Sequence, residues 1–313
     1  MKWNCVNCLQ PMRSALLVPG EKVMTAELLG AGIVRELANK VGITPTKKLG
    51  QNFVIDPNTV RYIVEQANLT TSDVVLEVGP GLGSLTVGLL PQVERVIAVE
   101  IDTRLAAELP ITVHRFAEQY EDRLTVVPAD ALRIQADVFA PYLPTAIVAN
   151  LPYNVAVPVL IHLLEVLPSV RTVLVMVQKE VADRMCAGPG SRTYGIPSVK
   201  IRWFGHAEPA GNIGKNVFWP APHVDSGLVR VSIDSPSRAD NSAEERGRVF
   251  SVVDACFAHR RKTLRAGLAD FIGSPARAEK VLRAAGVDPS ARAEQLELRD
   301  FIAVSDALQA TRD

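Results

Sequence analysis

The stretch Asn150-Leu-Pro-Tyr153 closes a short apolar run, Thr145 to Ala149, that has the composition of a buried strand. Pro152 fixes its own φ and pushes Leu151 into an extended conformation. Asn150 then offers a side-chain carbonyl, Leu151 a main-chain carbonyl and Tyr153 a ring face. That set suits a flat ring carrying an amino group: two acceptors take its two hydrogens and the tyrosine stacks on the ring. Asn and Pro are also ordinary turn residues, so the stretch alone is equally compatible with a plain strand-to-helix turn.

Stretches upstream shift that balance. Val74-Val-Leu-Glu-Val78 has the pattern of a buried strand and runs directly into Gly79-Pro-Gly-Leu-Gly83, after which a helix opens. Glycines there let the backbone pass close to a ligand and leave helix-start amides unpaired. Such a turn points to a nucleotide-like ligand without saying which; the dinucleotide pattern wants glycine where this chain has Ser84. Arg95-Val-Ile-Ala-Val-Glu100 is the next strand, and Glu100 falls 21 residues after Gly79, where a doubly wound sheet places the acid that holds a ribose diol. Leu124-Thr-Val-Val127 is a third strand, and Asp130 follows it at the same edge, able to accept from an exocyclic amine. Four successive strands thus end in Gly79, Glu100, Asp130 and Asn150; one polar strand end is commonplace, but four on one edge make a site.

These groups need a doubly wound α/β scaffold to hold them. Ile33, Val34, Leu37 and Val41 mark a helix from Ala31 that stops near Gly42. Asp56-Pro57 starts another, Asp as cap and Pro in the first turn. A fifth strand spans Arg171 to Gln178 and a helix follows from Lys179 to Ala187; a short element covers Pro197 to Phe204, and Gly227 to Ile233 is a final strand. The polar stretch 234–245 is a linker. Beyond it Val249, Val253, Phe257, Leu264 and Leu268 recur at helical spacing, interrupted by His259-Arg-Arg-Lys262, so one helix ends near His259 and another begins. Strands give way to helices there, which marks a second, all-helical domain at 243–313 after an α/β domain at 31–235. Residues 1–30 form a poorly ordered lead-in, with Met12 and Met24 as alternative starts.

Lys+Arg and Asp+Glu number 34 each, so any nucleic-acid surface must be local rather than global. Lys47 and Lys48 precede a Gly-Gln-Asn turn, either a solvated loop or a lid whose lysines face a polyanion. Residues 171–215 hold seven Lys/Arg against three acids, which suits a phosphate-facing rim or a solvated face. The four cysteines form no regular framework, and Cys5-Val-Asn-Cys8 lacks the second pair a structural zinc needs, so no metal is expected. The most apolar helix candidate, Val155 to Leu167, is too short to span a bilayer, and no signal peptide is evident; the expected compartment is the cytoplasm.

With these parts assembled, the chain resembles class I S-adenosylmethionine-dependent methyltransferases, and more closely the ribosomal RNA adenine dimethyltransferases of the bacterial small-subunit type. The resemblance runs from about Lys47 to Leu268. It is carried by Leu49-Gly-Gln-Asn-Phe53, Val78-Gly-Pro-Gly81, Asn150-Leu-Pro-Tyr-Asn154, Gln178-Lys-Glu-Val181, Tyr194-Gly195, Pro222-His-Val-Asp-Ser226 and Arg260-Arg-Lys-Thr-Leu264. It implies a Rossmann-like, mostly parallel sheet with an antiparallel last strand and a small helical C-terminal domain that binds RNA. It implies that Asn52, Val54, Gly79, Gly81, Glu100, Asp130 and Asn150 surround S-adenosylmethionine, and that Asn150, Leu151, Pro152 and Tyr153 form the catalytic stretch. Lys47, Lys48, Arg260, Arg261, Lys262 and Arg265 would meet the RNA. The implied substrate is a pair of neighbouring adenines near the 3′ end of 16S rRNA in the immature small ribosomal subunit, each methylated twice by a monomeric enzyme. Ala149 and Ala266 depart from residues common in relatives, glycine and asparagine, without removing a functional group.

Three rivals remain on sequence grounds. A nicotinamide-dependent dehydrogenase shares the glycine turn and the ribose acid but leaves Asn150-Leu-Pro-Tyr153 without a role. A non-catalytic ribosome assembly factor would keep the fold, and a resistance-type methyltransferase of large-subunit rRNA would share the Asn-x-Pro-Tyr site.

Overall fold

The computed structural model describes residues 26–43, 52–233 and 242–311. Over these residues the chain begins with helix α1 (Ala31–Lys40), strand β1 (Phe53–Val54) and helix α2 (Pro57–Ala67). Asp56 caps α2 by accepting from the Asn58 and Thr59 amides, with Pro57 in the first turn. There follow β2 (Val74–Val78), α3 (Ser84–Leu89), β3 (Arg95–Glu100), α4 (Thr103–Ala117), β4 (Leu124–Pro128), β5 (Ala146–Asn150), α5 (Ala156–Val166), β6 (Thr172–Gln178), α6 (Lys179–Met185), α7 (Ile196–Phe204), β7 (Gly205–Ile213), β8 (Phe218–Trp219) and β9 (Ser226–Ile233). No helix among the described residues is long and apolar enough to cross a membrane.

Seven strands form one sheet in the order β4-β3-β2-β5-β6-β9-β7. The first five in that order pair in parallel, and β9 lies antiparallel between β6 and β7. Both faces of the sheet are covered, so its central strands β2, β3, β5 and β6 are mostly apolar and alternate residues enter opposite cores. Val75, Val96, Ala98 and Val148 pack on the face of α1 to α4. Leu76, Ile97, Val99 and Ile147 pack on the face of α5. Each such fully buried Val, Leu or Ile contributes about 1.5–3 kcal/mol relative to exposure. The chain runs outward from β2 to β4 and returns on the other side as β5. That reversal leaves a crevice beyond the C-terminal ends of β2 and β5, where ligands bind in open α/β sheets.

The remaining described residues form α8 (Ala243–Phe257), α9 (Leu264–Ile272), α10 (Pro275–Ala284) and α11 (Leu298–Ala310). Their core holds Val249, Val253, Leu264, Leu268 and Phe301, and it also takes in Tyr194 and, from α7, Val199 and Trp203. The helical region is therefore seated on α7 rather than tethered beside it.

Three features depart from the pattern expected of the sequence. The lead-in does not extend to residue 30: the Glu27 amide donates to the Phe116 carbonyl at 2.8 Å, and Leu29 is fully buried. Strand β7 has no alternation to announce it, because Gly205, Pro209 and Gly211 punctuate it and a register shift falls between Pro209 and Gly211. The two-residue strands β1 and β8 pair with each other, Phe53 opposite Trp219, inside stretches whose composition is that of loops. Residues 1–25, with Cys5 and Cys8, and the linker stretch 234–241 lie outside the described residues.

Candidate active site

The floor of the crevice is made by the turn after β2. Gly81 has φ +59°, and a Cβ there would stand 2.8 Å from the Phe53 ring, so only glycine permits both the turn and the close approach of β1. The Gly81 amide donates to Glu100 Oε2 at 3.2 Å and the Asp102 amide donates to Oε1 at 3.0 Å. Burial pushes the Glu100 carboxyl up from its ordinary range, and these backbone donors pull against that shift. A carboxylate has about four acceptor positions, so two remain for a pair of hydroxyls.

Ser84 occupies the position where a dinucleotide turn wants glycine. Its hydroxyl donates to the Val54 carbonyl at 2.7 Å, which ties the glycine turn to β1. Glu77, the penultimate residue of β2, also lines the crevice. It is buried, accepts from Thr86 Oγ1 at 2.6 Å, and burial pushes its pKa up to about 8. Burial therefore favours the neutral form of Glu77 at neutral pH. Asp130 accepts from the Leu132 amide at 2.9 Å and stays partly open to the crevice, with Arg133 3.7 Å from its second oxygen. Two apolar side chains flank that end, Ile101 and Leu132, which are 61% and 38% exposed.

The opposite wall is the end of β5. Asn150 Nδ2 donates to the Asn52 carbonyl at 3.0 Å. A carbonyl only accepts, so the amide nitrogen must face Asn52, and the orientation of the Oδ1 acceptor is fixed on the other side. The Leu151 amide donates to the Met176 carbonyl at 3.1 Å, and Val155 donates to Pro152 at 3.2 Å to close the turn. Tyr153 is half-buried and its phenol shares a 2.8 Å hydrogen bond with Ser226 Oγ. Burial raises the Tyr153 pKa above the usual phenol range, so the ring stays neutral.

One short segment joins the two walls. Asn52 orients Asn150, Phe53 covers Gly81 and stacks on Trp219 with centroids 6.3 Å apart, and Val54 receives Ser84. Asn52, Val54, Gly79, Gly81, Glu100, Asp130 and Asn150 all line a single crevice of about 270 Å³, together with Leu151, Pro152 and Tyr153. The donor set fits S-adenosylmethionine: a buried acid with free acceptor positions, a second acid between apolar flanks, and a turn with glycine at 79, 81 and 83. Sequence reasoning missed Glu77, Phe53, Ile101 and Leu132 as lining residues. Glu77 had one available signal, a lone acid inside an otherwise apolar strand.

The expected RNA contacts lie elsewhere. Arg260, Arg261 and Lys262 are exposed in the connection between α8 and α9, and Arg265 is exposed on α9. Arg260 donates to the Arg192 carbonyl, Lys262 pairs with Asp270 at 3.2 Å and Arg265 with Glu279 at 3.2 Å. None of the four lines the crevice. Lys47 and Lys48 lie outside the described residues.

A family model described as ribosomal RNA adenine dimethylase matches residues 44–310. The ribosomal RNA small subunit methyltransferase A of Rhodococcus erythropolis is 58% identical over 277 residues, covering 88% of this chain and 92% of the relative. The protein of that name from Corynebacterium diphtheriae is 54% identical over 284 residues, covering 90% of this chain and 96% of its own. Among solved structures, a dimethyladenosine transferase from Plasmodium falciparum superposes with a TM-score of 0.65 at 26% identity, covering 80% of this chain and 94% of that one. The 23S rRNA methyltransferase ErmE gives a TM-score of 0.59 at 27% identity, covering 82% of this chain and all of its own.

Proposed function

Because the chain belongs to the ribosomal RNA adenine dimethylase family, we infer that it uses S-adenosylmethionine to methylate the exocyclic amines of two adjacent adenines near the 3′ end of 16S rRNA, giving N6,N6-dimethyladenosines as the small ribosomal subunit matures. The observation that carries this reading is one crevice holding both Glu100 and an Asn150 amide oriented by the Asn52 carbonyl.

Bound S-adenosylmethionine supplies a methyl group on a positively charged sulfur, already activated for transfer. Glu100 is suited to the ribose hydroxyls, Asp130 to the adenine amine, and Ile101 and Leu132 to the faces of that ring. On the other wall, Asn150 Oδ1 and the Leu151 carbonyl accept both hydrogens of the target amine. An adenine amine is a poor nucleophile because its lone pair spreads into the ring. Drawing on both hydrogens favours a more tetrahedral nitrogen whose lone pair is available for attack. As positive charge grows on that nitrogen, the two carbonyl dipoles stabilise it. The neutral Tyr153 phenol stacks on the base and does not take its proton; the methylated nitrogen is acidic enough to release it to water.

The target adenine has to leave its own stack to reach Tyr153. On this reading Arg260, Arg261, Lys262 and Arg265, with Lys47 and Lys48, grip the RNA outside the crevice, the helices from Ala243 onward act as the RNA-binding domain, and the protein works as a monomer in the cytoplasm. Radiolabelled methyl transfer to immature small subunits lacking the modification, followed by mapping of the labelled base, tests the proposal. Label in two adjacent adenines of 16S rRNA is the expected outcome. Label in large-subunit RNA, or none from a folded protein, would overturn it.

A further inference from the structure

Tyr153 sits in a turn, outside any helix or strand, and follows a proline. Its phenol is hydrogen-bonded to a residue 73 positions further along the chain, where Ser226 Oγ meets it at 2.8 Å. Ser226 is fully buried, the first residue of β9, and is held on both sides of the sheet: it pairs with Gln178 of β6 and with Ile213 of β7. Its neighbours are equally fixed. The Asp225 carbonyl accepts from the Lys179 amide at 3.0 Å and its carboxylate from the Lys215 amide at 3.1 Å. Gly227 lies so close to α6 that a Cβ there would stand 2.7 Å from that of Ala182. A ring carried on a turn is thus bonded to a hydroxyl on a strand paired on both sides.

We propose that Ser226 is a positioning residue for the target base, holding the Tyr153 ring in the plane on which the adenine stacks, and that it matters more for the second methyl transfer than for the first. This rests on the reading of the crevice as an adenine methyltransferase site. For the first transfer the amine has two hydrogens, and Asn150 and Leu151 together orient it. After one methylation a single hydrogen is left, and it can reach only one of the two acceptors. The orientation of the base then depends more heavily on stacking, and stacking depends on the plane of Tyr153.

The test compares Ser226→Ala, Tyr153→Phe and the double variant by single-turnover transfer at saturating S-adenosylmethionine and subunit. Monomethyl and dimethyl adenosine are quantified after digestion of the RNA. Ser226→Ala is expected to slow the second transfer about three- to tenfold, the range one neutral hydrogen bond supports, with a smaller effect on the first. Monomethyladenosine then accumulates, while affinity for S-adenosylmethionine is unchanged. Tyr153→Phe removes the same bond from its half-buried end without touching the β9 core, so it covers the case in which Ser226→Ala fails to fold. The double variant is expected to be no worse than the more impaired single. An unchanged product ratio in both single variants, or effects that multiply in the double, would overturn the proposal. Absence of transfer by the unaltered protein would instead overturn the reading of the site itself.

Discussion

The two walls of the crevice are built in different ways. The wall around Gly81, Glu100 and Asp130 is made from strand ends and backbone amides close in sequence: Gly81 and Glu100 are 19 residues apart, and Glu100 and Asp102 are two. The wall around Asn150 and Tyr153 depends on distant partners, Asn52 at 98 residues and Ser226 at 73. A backbone-built wall tolerates side-chain change except at its acids and glycines. A wall built from long-range side-chain bonds can be distorted through residues that never touch substrate. On the proposed function the first wall would bind the methyl donor and the second would carry the chemistry, so substitutions should separate the two.

The largest separation is expected from Asn150→Ala. Removing one of two preorganised acceptors at the developing charge should lower methyl transfer by about a thousandfold, with RNA affinity nearly unchanged. Labelled transfer and filter binding on the same preparation check this, and near-normal turnover would remove Asn150 from the acceptor role. Glu100→Gln tests the other wall. Glutamine places an NH2 where a carboxylate oxygen accepts from the Gly81 or Asp102 amide, setting donor against donor. Affinity for S-adenosylmethionine should fall roughly ten- to a hundredfold, the range for a hydrogen bond to a charged group. Titration calorimetry reads that loss, and transfer should recover substantially at high donor concentration. If Glu100→Gln were instead as inert as Asn150→Ala at saturation, the division between walls would not hold.

The same contrast explains what was legible in the sequence. The order strand, glycine turn, strand, acid needs only local patterning, so Gly79, Gly81 and Glu100 could be placed without coordinates. Asn150 and Tyr153 carry a recognisable spacing too. What holds them does not: Asn52 acts through its carbonyl, which any residue possesses, and Ser226 acts through a bond that no periodicity encodes. Strands β1 and β8 are two residues each and β7 is broken by proline and glycine, so tertiary pairing rather than intrinsic preference makes them strands. Ile101 and Leu132 escaped notice because an exposed apolar residue is ordinary on any surface.

The basic connection after α8 lies outside both walls, and it sharpens the comparison by being expected to affect neither donor affinity nor the chemical step. Arg260→Ala/Arg261→Ala/Lys262→Ala should weaken RNA binding and flatten its dependence on salt, by up to about 0.7–0.9 in the log–log slope for each phosphate no longer neutralised. The ion pair of Lys262 with Asp270 and the bond of Arg260 to Arg192 set a lower expectation for those two than for Arg261. An unchanged slope would assign the three residues to holding the α8–α9 connection.

The smallest expected effect lies under the donor wall, at Glu77. Its pKa rises from 4.5 to about 8 on folding, chiefly through burial, so the folded state binds a proton that the unfolded state has released over that interval. The stability Glu77 contributes is therefore complete below about pH 4.5 and disappears as pH climbs through about 8. Glu77→Gln cannot ionise, yet its side-chain carbonyl can still accept from Thr86 Oγ1. Thermal unfolding should find the variant close to the unaltered protein near pH 5 and more stable than it at pH 8.5, by on the order of several degrees. A difference in Tm that stays constant over that range would mean Glu77 is already ionised in the folded protein. An ionised Glu77 would add a negative charge beneath the donor wall, and affinity for a positively charged methyl donor would then rest in part on Glu77.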